Sequence, residues 1–155
     1  MAAAPVPTDR WTDADFDALS WHDNHVHALR IVAGPHGAGE LHLDLDFIVE
    51  WICRPEGGAR FRIVPATLRF LEVTHLRIAL DYATPTAALG PFSLGGIARR
   101  FEPRDRHTAQ VWTLDVNWPA GEIRFEAAGF VQTATGAARL GDNQWLEPAE
   151  RGPTP

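Results

Sequence analysis

Between residues 41 and 51 the apolar side chains Leu41, Leu43, Leu45, Phe47, Val49 and Trp51 fall on every second position, with Glu40, His42, Asp44, Asp46 and Glu50 between them. A period of two marks a half-buried strand with one apolar and one wet face. The preceding run, 25 to 33, places Leu29, Ile31 and Ala33 on one face. The Gly-rich break Gly34-Pro35-His36-Gly37-Ala38-Gly39 suits a reversal. Pairing residue i with 74−i joins the two runs as a hairpin. Ile31 then meets Leu43, Leu29 meets Leu45, and Arg30 meets Asp44 as an opposite-charge pair. A one-residue slip is excluded because it would turn every side chain over.

The same patterning continues along the chain. Thr12-Asp13-Ala14-Asp15 predicts a short helix of about two turns, with Thr12 as its cap and Phe16 and Leu19 on its inner side. Phe61 and Ile63 alternate with arginines up to Pro65, after which Leu68 and Phe70 carry the alternation in the other phase. That slip predicts an edge or a bulge at the proline. Residues 72–75 form a connection or a second irregularity. Leu76, Ile78, Leu80 and Tyr82 then predict a further strand, and Phe92 to Phe101 another, interrupted at Gly95-Gly96. Trp112, Leu114, Val116 and Trp118, the turn Pro119-Ala120-Gly121, and Ile123, Phe125 and Ala127 predict a second hairpin. Pairing i with 239−i sets Leu114 on Phe125 and Asp115 on Arg124. Seven or eight strands with Gly/Pro turns predict a mainly β fold. The expected architecture is an antiparallel two-layer sandwich with one short N-terminal helix, an open barrel being the alternative. It forms one domain over 10–146, with flexible tails at 1–9 and 147–155.

Composition narrows the chemistry. All fourteen basic residues are arginine, so Schiff-base lysine chemistry and a P-loop lysine are excluded. Ser20 and Ser93 are the only serines, and Pro-Phe-Ser-Leu-Gly lacks the first glycine of a nucleophile elbow. Cys53 is the only cysteine, which rules out an internal disulfide, and it reads as a buried inert thiol. A net charge of −6 argues against nucleic acid as a partner. No apolar run of membrane-spanning length is present, and the first nine residues lack the features of a signal peptide. The expectation is a cytoplasmic protein with no membrane partner and no cofactor. Lysine-free, Arg- and Ala-rich usage points to a GC-rich bacterial genome.

Five of the seven histidines, His22, His25, His27, His36 and His42, lie within residues 21–52. In the 74−i register His27 sits beside Phe47 and His25 beside Val49 on the apolar face. There they either cap the core by bonding to backbone or to Asp23, or ligate a metal as a pair two residues apart. His42, Asp44 and Asp46 share the opposite face, so in that register the two sets cannot form one site. The candidate binding residues are therefore His22, Asp23, His25 and His27, and the same four would be the ligands if a metal were bound.

Trp21-His22-Asp23, Val26-His27, the Gly-rich turn, the Glu-Leu-x-Leu-x-Leu-Asp strand and the later Pro65, Ala66, Leu68, Phe70 and Val73 are similar to a pattern found in small bacterial domains. Among these are some immunity proteins of polymorphic toxin systems. The layout matches over roughly residues 16–130. The resemblance implies a non-catalytic domain that binds a protein partner, and it carries no catalytic residues. An acidic chain would suit a basic partner. Two alternatives stand beside it. One is a metal-dependent hydrolase or metal-binding protein, using His22, Asp23, His25 and His27 with Glu50 or Asp46 as base. The other is a carrier holding a small ligand between the sheets.

Overall fold

In the computed structural model, the described residues are 9–85 and 87–152. They form nine antiparallel strands: β1 (Arg10–Thr12), β2 (His25–Ala33), β3 (Gly39–Cys53), β4 (Ala59–Leu80), β5 (Phe92–Pro103), β6 (Thr108–Trp118), β7 (Gly121–Glu126), β8 (Gly129–Ala134) and β9 (Arg139–Gly141). The fold is mainly β, and its helical parts are 3-10 turns at Asp13–Ala18, Pro35–Gly37 and Pro148–Glu150. Among the described residues no helix is long and apolar enough to cross a membrane.

The strands run in the order β1-β8-β4-β3-β2-β5-β6-β7, and β7 also pairs with β4. The sheet therefore curls round on itself, and the two expected layers are the two halves of one sheet. β2 and β5 share only the pairs His25–Ser93 and Val26–Phe92. The seam is open beyond them, and the sheet is not a closed barrel. Phe70 of β4 and Trp112 of β6 meet in the interior with ring centroids 5.2 Å apart. Leu41, Leu43, Leu45, Leu68, Leu114 and Ile123 are fully buried around them.

The β6–β7 hairpin, and the β2–β3 hairpin from Ala28 to its turn, keep the expected faces but sit two residues away from the expected registers. In β2–β3, Ile31 pairs with Leu41 and Leu29 with Leu43. In β6–β7, Leu114 pairs with Ile123 and Trp112 with Phe125. A shift of two preserves every side chain's face, so apolar alternation cannot detect it. The turns decide it. Ala33 pairs with Gly39 across the 35–37 turn. At Gly39 a Cβ would lie 2.4 Å from the Val32 carbonyl oxygen, an approach only glycine permits.

The predicted slip at Pro65 is absent. The ladder Leu45–Ala66, Asp46–Pro65, Phe47–Val64 runs unbroken, and the bulge lies in β3, between Ile48 and Glu50. The apolar phase changes because two faces of β4 are buried at different places. Val64, Ala66, Leu68 and Phe70 join the main core. Phe61 and Ile63 join a second cluster with Ile48 and Leu146. Pro65 costs no ladder bond, because on its free side it falls between the stretches paired with β9 and β8. Residues 59–80 are one strand, not two, and the irregularity expected at 72–75 is a pair of left-handed residues, Glu72 and His75.

The N-terminal helix is a 3-10 turn, at whose start the Asp15 carboxylate accepts the Thr12 N–H at 2.9 Å. Both flanking segments reach the sheet. The Ala134 N–H reaches Asp9 O at 2.8 Å, and Arg151 is anchored on Asp46. Residues 1–8 and 153–155 of the expected tails lie outside the described residues.

Candidate functional site

The segment Trp21–Asn24 is a tight turn wedged into the sheet. Trp21 is buried in the core and donates its indole N–H to Gln132 at 2.9 Å. Asn24 N–H closes the turn on Trp21 O at 3.1 Å, and Asp23 takes φ +61° to allow it. Asn24 is fully buried and accepts the Ile48 N–H through Oδ1. Asp23 N–H donates to Leu94 O at 2.8 Å and Leu94 N–H to Asn24 O at 2.9 Å, which ties the turn to β5. Asn24 and Trp21 therefore set the geometry on which the neighbouring histidines depend.

β2 carries a bulge between Val26 and Ala28, at His27. This corrects the expected placement of the histidines. Val26 points into the core, and His25 pairs with Asp46 rather than facing Val49. His27 Nε2 lies 4.0 Å from Asp46 Oδ1, not beside Phe47. The extra residue brings His25 and His27 to the face that carries Asp44 and Asp46. The two sets expected on opposite sides of the sheet are neighbours.

That face is not a solvated one. Asp46 is fully buried. Arg151 grips it with two hydrogen bonds, Nε to Oδ1 and Nη2 to Oδ2, each 2.9 Å, and the Leu146 N–H adds a third at 3.0 Å. The segment 142–152 is thus strapped over the outer face of β2 and β3. Asp44 receives Arg30 and the Thr67 hydroxyl, the latter at 2.7 Å. Burial works against the charge on Asp44, but these donors outweigh it and hold the carboxyl below its ordinary value. Glu40 is held low by Arg69 first and His42 second.

The imidazoles face different partners. His22 Nδ1 lies 3.1 Å from Gly95 O, and its ring stacks on Trp51 at 6.3 Å. His25 Nδ1 lies 3.2 Å from Asp23 O, with Trp145 against its ring at 5.3 Å. Asp23 accepts Asn117 Nδ2 at 2.9 Å and Gln144 Nε2 at 3.0 Å, and lies 3.4 Å from His22 Nε2. Burial lowers the pKa of His25. Burial and then the nearby Arg151 lower that of His27. The four candidate residues are close together, but among the described residues no three His, Cys, Asp or Glu side chains converge as a metal would require. The alternative bases are engaged as well, Asp46 by Arg151 and Glu50 by Arg62 at 3.2 Å.

Two residues that frame this corner were not singled out from the sequence: Trp145 and Arg151. Asn117 and Gln144, which hold Asp23, immediately precede two partly exposed tryptophans, Trp118 and Trp145. Trp51 is the third. A readable signal was Trp145-Leu146, an apolar pair in an otherwise polar stretch, and Asp46, an acid set among six apolar positions. Cys53, expected to be buried, is exposed, because the β3–β4 hairpin runs past the end of the main core.

A cleft of about 560 Å³, which shares Trp51 with the corner, opens at that end of the core. Trp11, Leu19, Phe47, Val49 and Val64 line it, with Glu50 and Arg62 among its walls.

Compared with protein-family models, with curated proteins and with solved structures, the chain matches none of them.

Proposed function

We propose that the chain is a non-catalytic domain that binds a protein partner through the corner framed by Trp51 and Trp145. The observation that carries this reading is how the corner divides its residues. Its carboxylates, Asp23, Asp44 and Asp46, are each engaged by donors from the chain itself. Its tryptophans, Trp51 and Trp145, stay 45% and 41% exposed. Groups saturated by internal hydrogen bonds make a poor base or ligand set. Exposed tryptophan on a rigid support is the residue type that most often dominates binding energy at interfaces. A net charge of −6 favours a basic partner, and the resemblance to bacterial immunity proteins favours a cytoplasmic one.

The test is affinity purification from the native host, followed by binding measurements with the recovered partner. Trp145→Ala and Trp51→Ala should each weaken binding about thirtyfold, the equivalent of about 2 kcal/mol, with little change in Tm. Ile78→Ala, at an exposed site on β4, should leave it unchanged. Full affinity in both tryptophan variants, or turnover of a substrate by the purified protein, would remove the reading.

The end cleft favours a second reading, a carrier for a small apolar ligand. Native mass spectrometry of the protein purified from its host should then show added mass, lost in Val49→Trp. Bare protein mass throughout would end it.

A further inference from the structure

Every sheet that does not close has free edges, and soluble proteins blunt them. Four of the free edges here are blunted. β1 and β9 are three residues long. β5 beyond Gly96 carries Arg99 and Arg100, charges that disfavour a further strand, and the Arg99 guanidinium sits over the Phe16 ring at 4.6 Å. β4 beyond Val73 is kinked by the left-handed Glu72 and His75.

β2 is the exception. One side of it pairs with β3 along its whole length, and the other pairs with β5 only at His25 and Val26. Among the described residues no strand pairs with Leu29–Ala33 on that second side. The segment is regular, without proline, glycine or bulge. Its one charge, Arg30, is drawn onto Asp44 on the outer face. Ile31 is 68% exposed and Val32 39%. An unguarded row of backbone donors and acceptors beside exposed β-branched side chains takes another strand.

We propose that Leu29–Ala33 pairs antiparallel with the same segment of a second copy of this chain. Pairing about a two-fold axis sets residues of the same face opposite one another, so only alternate registers are open. One of them places Arg30 against Arg30. The next sets Ile31 on Ile31, Leu29 on Ala33 and Arg30 on Val32, with no like charges opposed and all five residues paired. The one after that pairs only three of the five and places Arg30 against Gly34. The middle register is the one the side chains favour, and it makes the edge its own complement. The contact is short, so the dimer is a weak one. It lies on a different strand edge from the tryptophan corner and stands independently of the partner proposed there.

Sedimentation equilibrium from micromolar to millimolar protein tests it. The full chain should shift from monomer to dimer as concentration rises. Ile31→Lys should raise the dissociation constant at least about tenfold, since it sets two like charges opposite each other. Phe101→Lys, on the guarded edge of β5, should leave it unchanged. With Cys53→Ser as background, Ile31→Cys should oxidise to a disulfide-linked dimer. Val32→Cys, whose counterpart lies two positions away, should not. A monomer at every concentration overturns the proposal. So does a dimer indifferent to Ile31→Lys, or equal cross-linking by both cysteine variants. Protection of the β2 amides only when another protein is added would assign the edge to that protein and also overturn it.

Discussion

The two faces of β3 are held in place by different physics. The inner face, Leu41, Leu43, Leu45 and Phe47, is held by area removed from water and by close packing. The outer face, Glu40, His42, Asp44 and Asp46, is held by donors that arrive from three different places: Arg69 and Thr67 on β4, Arg30 on β2, and Arg151 more than a hundred residues away in sequence. The inner face tolerates imperfect partners, because the hydrophobic effect has no direction. The outer face does not, because a buried carboxylate stripped of its donors keeps its full desolvation cost. The same strand therefore has one side that sets the fold and one side that fastens a specific distant segment onto it.

The contrast can be broken from either side. Leu43→Ala should cost the most, about 4 kcal/mol within the usual range for a buried leucine, read as a lower urea midpoint with an unchanged slope. Asp46→Ala should follow at about 3 kcal/mol, since it leaves Arg151 and the Leu146 N–H without an acceptor. A cost near zero would mean that the outer face is ordinary surface. Asp44→Asn should cost about 1–2 kcal/mol, because the amide keeps one acceptor for Arg30 or Thr67. Glu40→Gln should cost below about 1 kcal/mol, since the Glu40–Arg69 pair is partly solvated and screened.

The smallest effect is one of pH. His25 and His27 both sit below their ordinary value of 6.5 in the folded chain. As pH falls the unfolded chain takes up protons first, so stability rises with pH across this window. It should be complete above about 6.5, decline as pH drops through that value, and level off below the folded-state values. Urea midpoints at a series of pH values would check this, and His27→Gln should flatten the decline. An unchanged slope in that variant would place the titration elsewhere.

How much of this was legible in the sequence depended on the face. The inner face of β3 and its partners in β2, β4, β6 and β7 could be read from alternation alone. The mainly β antiparallel fold followed from it. Register was lost by two in both hairpins, because alternation is blind to even shifts and the turns that decide them are local. The outer face read as wet, because a strand with acids on alternate positions looks the same whether water or Arg151 covers it. The bulge at His27 had no signature in the sequence. Without it His25 and His27 faced the core, and their closeness to Asp46 was hidden. Glu147 to Pro155 was set aside for its prolines, although Trp145-Leu146 just before it marked a segment with apolar surface to bury.

The central claim is that Asp46 and Arg151 clamp the segment 142–152 over the histidine corner and make the corner part of the scaffold. Amide hydrogen exchange in Arg151→Ala, compared with the unmodified chain, tests it most directly. The Leu146 amide should exchange at least about tenfold faster, with the amides of 142–152, while the Leu45 amide in the centre of β3 keeps its rate. An unchanged Leu146 amide, or one that speeds only in step with Leu45, would contradict the claim.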